Sequence, residues 1–481
     1  MTQPSYPELH LWIGGHWLNV EGRPSQAVVN PATGAELGRF PCASTADIQA
    51  ALAAADQAFQ DWRASNPMLR SRVLRRTAEL LRADRDTLAG LICLELGKPL
   101  AQARAETETA AEMFEWAAEE CRRAYGRLIP GRTPGLRLMA VPEPVGPVAA
   151  FSGWNAPAIT PSRKIAGAVA AGCSIIIKPA EATPATALFL ARALEQAGLP
   201  AGVVNMVFGE PAAIAAQLLD SPITRMVTFT GSTVVGKQLA ARATGTMKRL
   251  VFELGGHAPA LVFPDVDVDA VVRGAVATKF RNSGQICTSP TRFYVHESVY
   301  PRFVERFTEL AGALRLGGPL DDATEMGPVQ NARRLDALTA LVDDARGHGA
   351  TVTTGGTRLT GDGFFFPPTV LTDVDHRCRV AAEEPFGPLA LITPFTDTAQ
   401  AIELANRLPL GLASYLFSHD LRVVDRVSRE IQCGNVIINH WKVSFPETPF
   451  GGVEDSGIGL EGGIEGLQAF QQLKFISQAA Q

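Results

Sequence analysis

Apolar residues recur at alternating steps of four and three from Ile48 through Leu52, Ala55 and Phe59 to Trp62, which places them on one face of a helix. Ser44 and Asp47 stand just before this run in the order of a capping box. Upstream of it the chain opens with a short β-like stretch. Two more helical stretches follow. One ends near Gly97 with Pro99 just beyond, and the other ends near Gly126, since glycine accepts the left-handed cap and proline cannot continue a helix. Beyond Gly126 the pattern changes. Residues 127–144 carry Pro130, Pro134, Pro142 and Pro144 around Leu136, Leu138 and Ala140 and read as an extended ribbon.

From 145 to 256 short β-branched runs alternate with helical ones. Val148–Phe151, Ser174–Ile177, Val203–Val207 and Arg225–Phe229 read as buried strands. Between them Thr183 and Pro184 predict a capped helix start with proline at its first position, and Gly198 with Pro200 its end. Such alternation predicts a doubly wound parallel sheet. A second α/β alternation runs from about 257 to 455. The expected fold is therefore two α/β domains with a protruding ribbon.

Composition narrows the class little further. At roughly 150 residues per domain, 481 residues suit two to four domains, and 46% hydrophobic with 19% charged residues is ordinary for a globular chain. The net charge of −5 is spread without a basic stripe, which gives no reason to expect a nucleic-acid partner. The most apolar stretch, Ile165 to Ile177, is shorter than the ~18–20 residues of a membrane helix and is closed by Lys178. No signal-peptide pattern opens the chain, so a cytoplasmic, non-membrane protein is expected. Seven scattered cysteines without a C-x-x-C pair argue against a disulfide framework or a zinc site; no metal is expected.

Local motifs suggest chemistry without deciding it. Cys287 follows a polar, glycine-containing approach (Arg281-Asn282-Ser283-Gly284-Gln285-Ile286), which would suit an open nucleophilic thiol, although a packed thiol is the plainer reading of any lone cysteine. Glu253 stands after an apolar run and beside Gly255 and Gly256, where a carboxylate is either a desolvated base or a surface group near a turn. Thr228 to Gly236 reads as a strand, a glycine turn at Gly231 and a helix start where Ser232 could meet a phosphate, but it lacks the G-x-G-x-x-G fingerprint. Lys178 and Glu181 place a cation and a carboxylate at another strand end, where open α/β sheets bind ligands.

Taken in order, Trp154-Asn155-Ala156-Pro157, Lys178-Pro-Ala-Glu181, Phe229-Thr-Gly-Ser232-Thr with Gly236, Glu253-Leu-Gly-Gly, Gly284-Gln-Ile-Cys287, Glu384-Pro-Phe386-Gly-Pro and Pro449-Phe-Gly-Gly resemble the aldehyde dehydrogenase superfamily over nearly the whole chain. The resemblance implies two Rossmann-like domains: 1–126 with 145–253 for the dinucleotide, 254–455 for catalysis, and 127–144 with 456–481 for assembly into a homodimer or homotetramer. It implies Cys287 as nucleophile, Asn155 with the Cys287 amide as oxyanion hole, and Glu253 as the base that hydrolyses a thioester. Trp154, Lys178, Glu181, Gly231, Ser232, Gly236, Glu384 and Phe386 would hold NAD or NADP. Glu181 favours NAD because it would repel a 2′-phosphate, although relatives with this glutamate can use NADP. His257 departs from the lysine or asparagine that many relatives carry after Glu-Leu-Gly-Gly; it is either a satisfied buried residue or a tuner of the glutamate.

Arg163, Arg281 and Ser444 resemble the carboxylate clamp of succinate-semialdehyde dehydrogenases, so a carboxylate-bearing semialdehyde is the expected small-molecule substrate. Pairing of either arginine with a protein acid is the plainer reading of each alone. An aromatic aldehyde stays open, because the Trp154–Pro157 motif also resembles benzaldehyde-type enzymes. Transfer of the acyl group to coenzyme A would not need Glu253, and a non-enzymatic protein of this fold would need neither Glu253 nor Cys287. Thr288 and Ser289 leave the nucleophile without a neighbouring cysteine, so no local disulfide switch is expected.

Overall fold

The computed structural model describes residues 5–479. The predicted strands form the middle of an eight-stranded sheet ordered His16–Leu18, Leu11–Ile13, Val204–Met206, Ile175–Lys178, Val148–Phe151, Met226–Thr230, Arg249–Glu253, Gly457–Ile458. The five central strands are parallel and the flanking pairings antiparallel. Their side chains are almost wholly buried on both faces, which is why they read as continuous apolar runs and not as alternating ones. Chain order runs outward in both directions from Val148–Phe151, so the loops after this strand and after Met226–Thr230 diverge and open a crevice at the carboxyl edge.

The chain leaves this sheet at Glu253 and enters a second one within five residues. That sheet has seven strands, in the order Thr351–Thr354, Thr369–Thr372, Leu389–Phe395, Pro290–His296, Ala258–Val262, Ala413–Phe417, Asn435–Ile438, parallel except at the first pair. Carboxyl ends of the first sheet therefore face amino ends of the second. The ribbon strands Arg127–Pro130 and Leu136–Pro144 pair with the tail strand Gln471–Ala479 in a three-stranded sheet. No helix among the described residues is long and apolar enough to cross a membrane.

The capping box of helix Thr45–Ala64 forms as read, and Gly97 caps Arg85–Leu96 in the left-handed region. Other boundaries need correction. The opening β-like stretch is four short strands, and the two further helical stretches are three helices, because Asp84 (φ −117°, ψ 35°) divides Pro67–Ala83 from Arg85–Leu96. The last of them, Leu100–Glu120, stops before Gly126; Tyr125 is 79% exposed, so nothing is there for another turn to pack on. Thr183 precedes Pro184 as expected, but its side chain makes no cap. Buried Glu95, from a distant helix, accepts from the Ala185 and Thr186 amides at 2.7 and 3.0 Å instead.

Candidate active site and dinucleotide cleft

A cavity of about 1230 Å³ lies where the two sheet edges meet. On one side of it Ile286 accepts from the Ser289 amide at 2.9 Å, which puts Cys287 at the tip of a tight turn just before strand Pro290–His296. Asn282, Ser283 and Gly284 all take positive φ (49°, 55°, 71°) to deliver it. Two buried non-glycine residues in that region cost energy, and side-chain bonds offset it. Ser283 Oγ donates to the Gly327 and Pro328 carbonyls at 2.8 and 3.1 Å, and Asn282 Nδ2 to the Asn155 and Gln285 carbonyls at 3.0 and 3.2 Å. Gly284 is obligatory, since a Cβ there would stand 2.2 Å from the Gly387 carbonyl. The thiol is half-buried, less open than the sequence suggested.

Glu253 ends its strand and is 4% exposed. Burial raises its pKa to about 7, against the lowering effect of contact with Cys287. Burial and the facing Glu253 push the Cys287 thiol up in turn. The thiol thus holds its proton at neutral pH, while the Glu253 carboxyl changes charge in the neutral range.

Asn155 sits in the divergent loop after Val148–Phe151. Its main-chain carbonyl is fixed from two sides, by Asn282 and by Lys98 Nζ at 3.2 Å. Lys98 is paired with buried Glu106, which also accepts from the Ala158 amide at 2.9 Å. Among the described residues neither Asn155 Nδ2 nor the Cys287 amide has a partner, so both are free to donate into the cavity. Lys98, Glu106 and Asn282 were not singled out from the sequence. Gly97-Lys98-Pro99 read only as a helix stop, and no local pattern links it to a loop 57 residues on.

The other arm of the cavity is lined by Trp154, Lys178, Glu181, Gly231, Ser232, Glu384 and Phe386. Lys178 pairs with Glu181. Gly231 has no room for a side chain, as a Cβ would meet the Phe229 ring at 2.4 Å. Ser232 caps helix Thr233–Ala243, so a helix start borders the cavity. Gly236 is the one expected cofactor residue that does not line it; it is on the buried side of that helix, where a Cβ would stand 2.5 Å from Leu254. Trp154 meets Phe386 edge-on at 5.4 Å between centroids. Burial raises the Glu384 carboxyl to about 8, against a lowering hydrogen bond from the Gly256 amide.

Arg163, Arg281 and Ser444 line the same cavity as Cys287. Arg163 lies about one turn into helix Ile159–Ala171, not two, because the helix starts after a turn that the spacing alone does not reveal. Its Nη2 donates to Ser444 Oγ at 2.8 Å and its guanidinium lies 4.7 Å from the Phe450 ring centre. It also stands 3.7 Å from buried Glu461, which Lys164 holds more tightly at 2.6 Å. Burial raises the Glu461 pKa, but Lys164 and Arg163 prevail and hold it below the usual range. Arg281 is exposed and forms no ion pair among the described residues. His257 is 1% exposed and satisfied: Nδ1 lies 2.8 Å from Thr291 Oγ1 and Nε2 3.0 Å from the Val380 carbonyl. Burial, with Arg292 adding to it, lowers its pKa well below the usual value, so it is a neutral strut.

The carboxyl edge of a doubly wound sheet thus opens onto the cavity that also holds the cysteine turn. The aldehyde dehydrogenase family model matches residues 17–476, and the chain belongs to that family. It is 45% identical over 98% of both chains to 4-(hydroxymethyl)benzenesulfonate dehydrogenase of Comamonas testosteroni. It is 40% identical over 96% of both to an NADP(+) succinate-semialdehyde dehydrogenase of Escherichia coli. The solved succinate-semialdehyde dehydrogenase of Burkholderia pseudomallei superposes with a TM-score of 0.97 at 41% identity, over 100% of both chains. The protein is an oxidoreductase acting on aldehydes, and its homologues use NAD or NADP.

Proposed function

We propose that this enzyme oxidises an aldehyde whose far end carries a carboxylate, by way of a thioester on Cys287. The observation that carries the substrate class is Arg163 bonded to Ser444, with Arg281 on the same cavity and in no ion pair among the described residues. Two guanidinium groups and a hydroxyl supply charge-assisted hydrogen bonds to an anionic group and leave the aldehyde directed at the thiol.

Cys287 gives up its proton to solvent, and the thiolate adds to the aldehyde carbon. The resulting oxyanion accepts hydrogen bonds from Asn155 Nδ2 and the Cys287 amide. A bound nicotinamide would supply the acceptor for the hydride on that carbon, and loss of the hydride would leave a thioester on Cys287. Glu253 then draws a proton from water as the water attacks, and the acid leaves with Cys287 restored. Lys178 and Glu181 would hold the adenosine ribose, Ser232 the pyrophosphate, and Glu384, Phe386 and Trp154 the nicotinamide end. A ribose 2′-hydroxyl can donate to Glu181, so NAD is the proposed cofactor.

An aromatic aldehyde bearing a sulfonate is the second reading, favoured by the benzenesulfonate relative and by the Phe450 ring beside Arg163. The test is cofactor reduction with succinate semialdehyde, an uncharged aliphatic aldehyde, benzaldehyde and a sulfonated benzaldehyde, in wild type and Arg281→Ala. Arg281→Ala is expected to lower kcat/KM for the semialdehyde by about 10- to 100-fold, the range of a hydrogen bond to a charged group, with little change for uncharged aldehydes. Equal use of all four by both proteins would remove the clamp.

The ribbon and tail strands expose Leu128, Leu473 and Phe475, and they are the proposed contact between subunits. Light scattering should give a dimer or tetramer, and a monomer would end this assignment.

A further inference from the structure

The ribose end of the cleft holds a second carboxylate, and we propose that Glu210 is a determinant of dinucleotide choice, turning away a ribose 2′-phosphate. This rests on the reading that Lys178 and Glu181 face the adenosine ribose. Glu210 lines the cavity together with those two residues, Pro211 and Ala212. Its two carboxylate oxygens accept from the Ala212 and Ala213 amides at 3.1 and 2.6 Å, capping helix Pro211–Asp220. Pro211 at the first position contributes no N–H. The amides that would otherwise welcome a phosphate at this helix start are thus already occupied by the chain's own anion.

The two glutamates differ in how firmly they are held. Glu181 has 30% side-chain exposure and one ionic partner, Lys178, so it can swing away from an incoming phosphate. Glu210 cannot move without stripping two amides of their acceptor. Among the described residues, the cations lining this end are already engaged. Lys178 is shared between Glu181 and the Pro179 carbonyl at 3.3 Å. Arg242, also on the cavity, is committed to Asp220 by paired bonds, one of them 2.8 Å. The ribose end therefore presents one cation, already paired, against two carboxylates. A neutral 2′-hydroxyl fits this balance and a phosphate dianion does not.

Dissociation constants for NAD and NADP would be measured by titration calorimetry on the full-length wild type, Glu210→Ser, Glu210→Gln and Glu181→Gln. Serine keeps an oxygen cap on the helix and glutamine keeps the length, so charge is separated from folding, with melting temperature as the control. The ratio of the NADP constant to the NAD constant is expected to fall about 3- to 10-fold in both Glu210 variants, and by less at high salt. An unchanged ratio in both Glu210 variants, with a lowered one in Glu181→Gln, would overturn the role of Glu210 and keep the ribose placement. If no variant altered binding of either dinucleotide, the placement itself would be wrong and the proposal would fall with it.

Discussion

With Glu253 replaced by glutamine, the enzyme is expected to reduce about one equivalent of cofactor per subunit and then stall. In the proposed mechanism, attack by Cys287 and hydride loss need no base at position 253 once the thiolate exists. Hydrolysis of the thioester does, and general-base assistance of this kind is worth about 10²- to 10⁴-fold. Rapid-quench mass spectrometry should find an acyl adduct on Cys287 in the variant. In the wild type, the steady-state rate should rise with pH through about 7, where burial has placed the Glu253 carboxyl, because the base works only when ionised. Stability carries the opposite sign. A carboxyl whose folded pKa is raised is favourable while neutral, and that contribution is lost as pH rises from its unfolded value near 4.5 through about 7. Glu253→Gln, neutral at every pH, should therefore melt higher than wild type at pH 8. Undiminished turnover in the variant would mean that the acyl group leaves to an acceptor other than water, as in transfer to a thiol coenzyme.

What the chain disclosed in advance follows from the range of the forces involved. Buried parallel strands must be apolar on both faces, so Val148–Phe151 was readable to the residue and its neighbours to within one. Helix stops set by a glycine's own backbone, as at Gly97, were equally plain. The end of Leu100–Glu120 was not, because it depends on where the underlying core runs out. At the site, ordered motifs named Cys287, Glu253 and Asn155, and the fold brings them to one cavity. The supports behind them stayed hidden. Glu95 capping a helix 90 residues away and Glu461 neutralised by Lys164 are pairings between distant segments, with no periodicity to betray them. The strain at Asn282 and Ser283 was invisible for the same reason, since neither residue type demands positive φ.

Those supports make the proposed oxyanion hole separable from the loop that carries it. The loop is fixed through the Asn155 main-chain carbonyl, which Lys98 and Asn282 grip at 3.2 and 3.0 Å, while the side-chain amide is left free. Asn155→Ala removes the donor and keeps the grip. Loss of one such donor costs about 10²- to 10³-fold in kcat, and that drop is expected here with the melting temperature little changed. The defect should lie in both halves of the reaction, since the tetrahedral oxyanion forms on acylation and again on hydrolysis. The initial burst and the steady state should therefore slow together, unlike in Glu253→Gln. Alkylation of Cys287 by iodoacetamide forms no oxyanion and should proceed at the wild-type rate. A parallel loss of alkylation would show instead that the alanine had displaced the cysteine turn, and the amide of Asn155 would lose its assigned part in the chemistry.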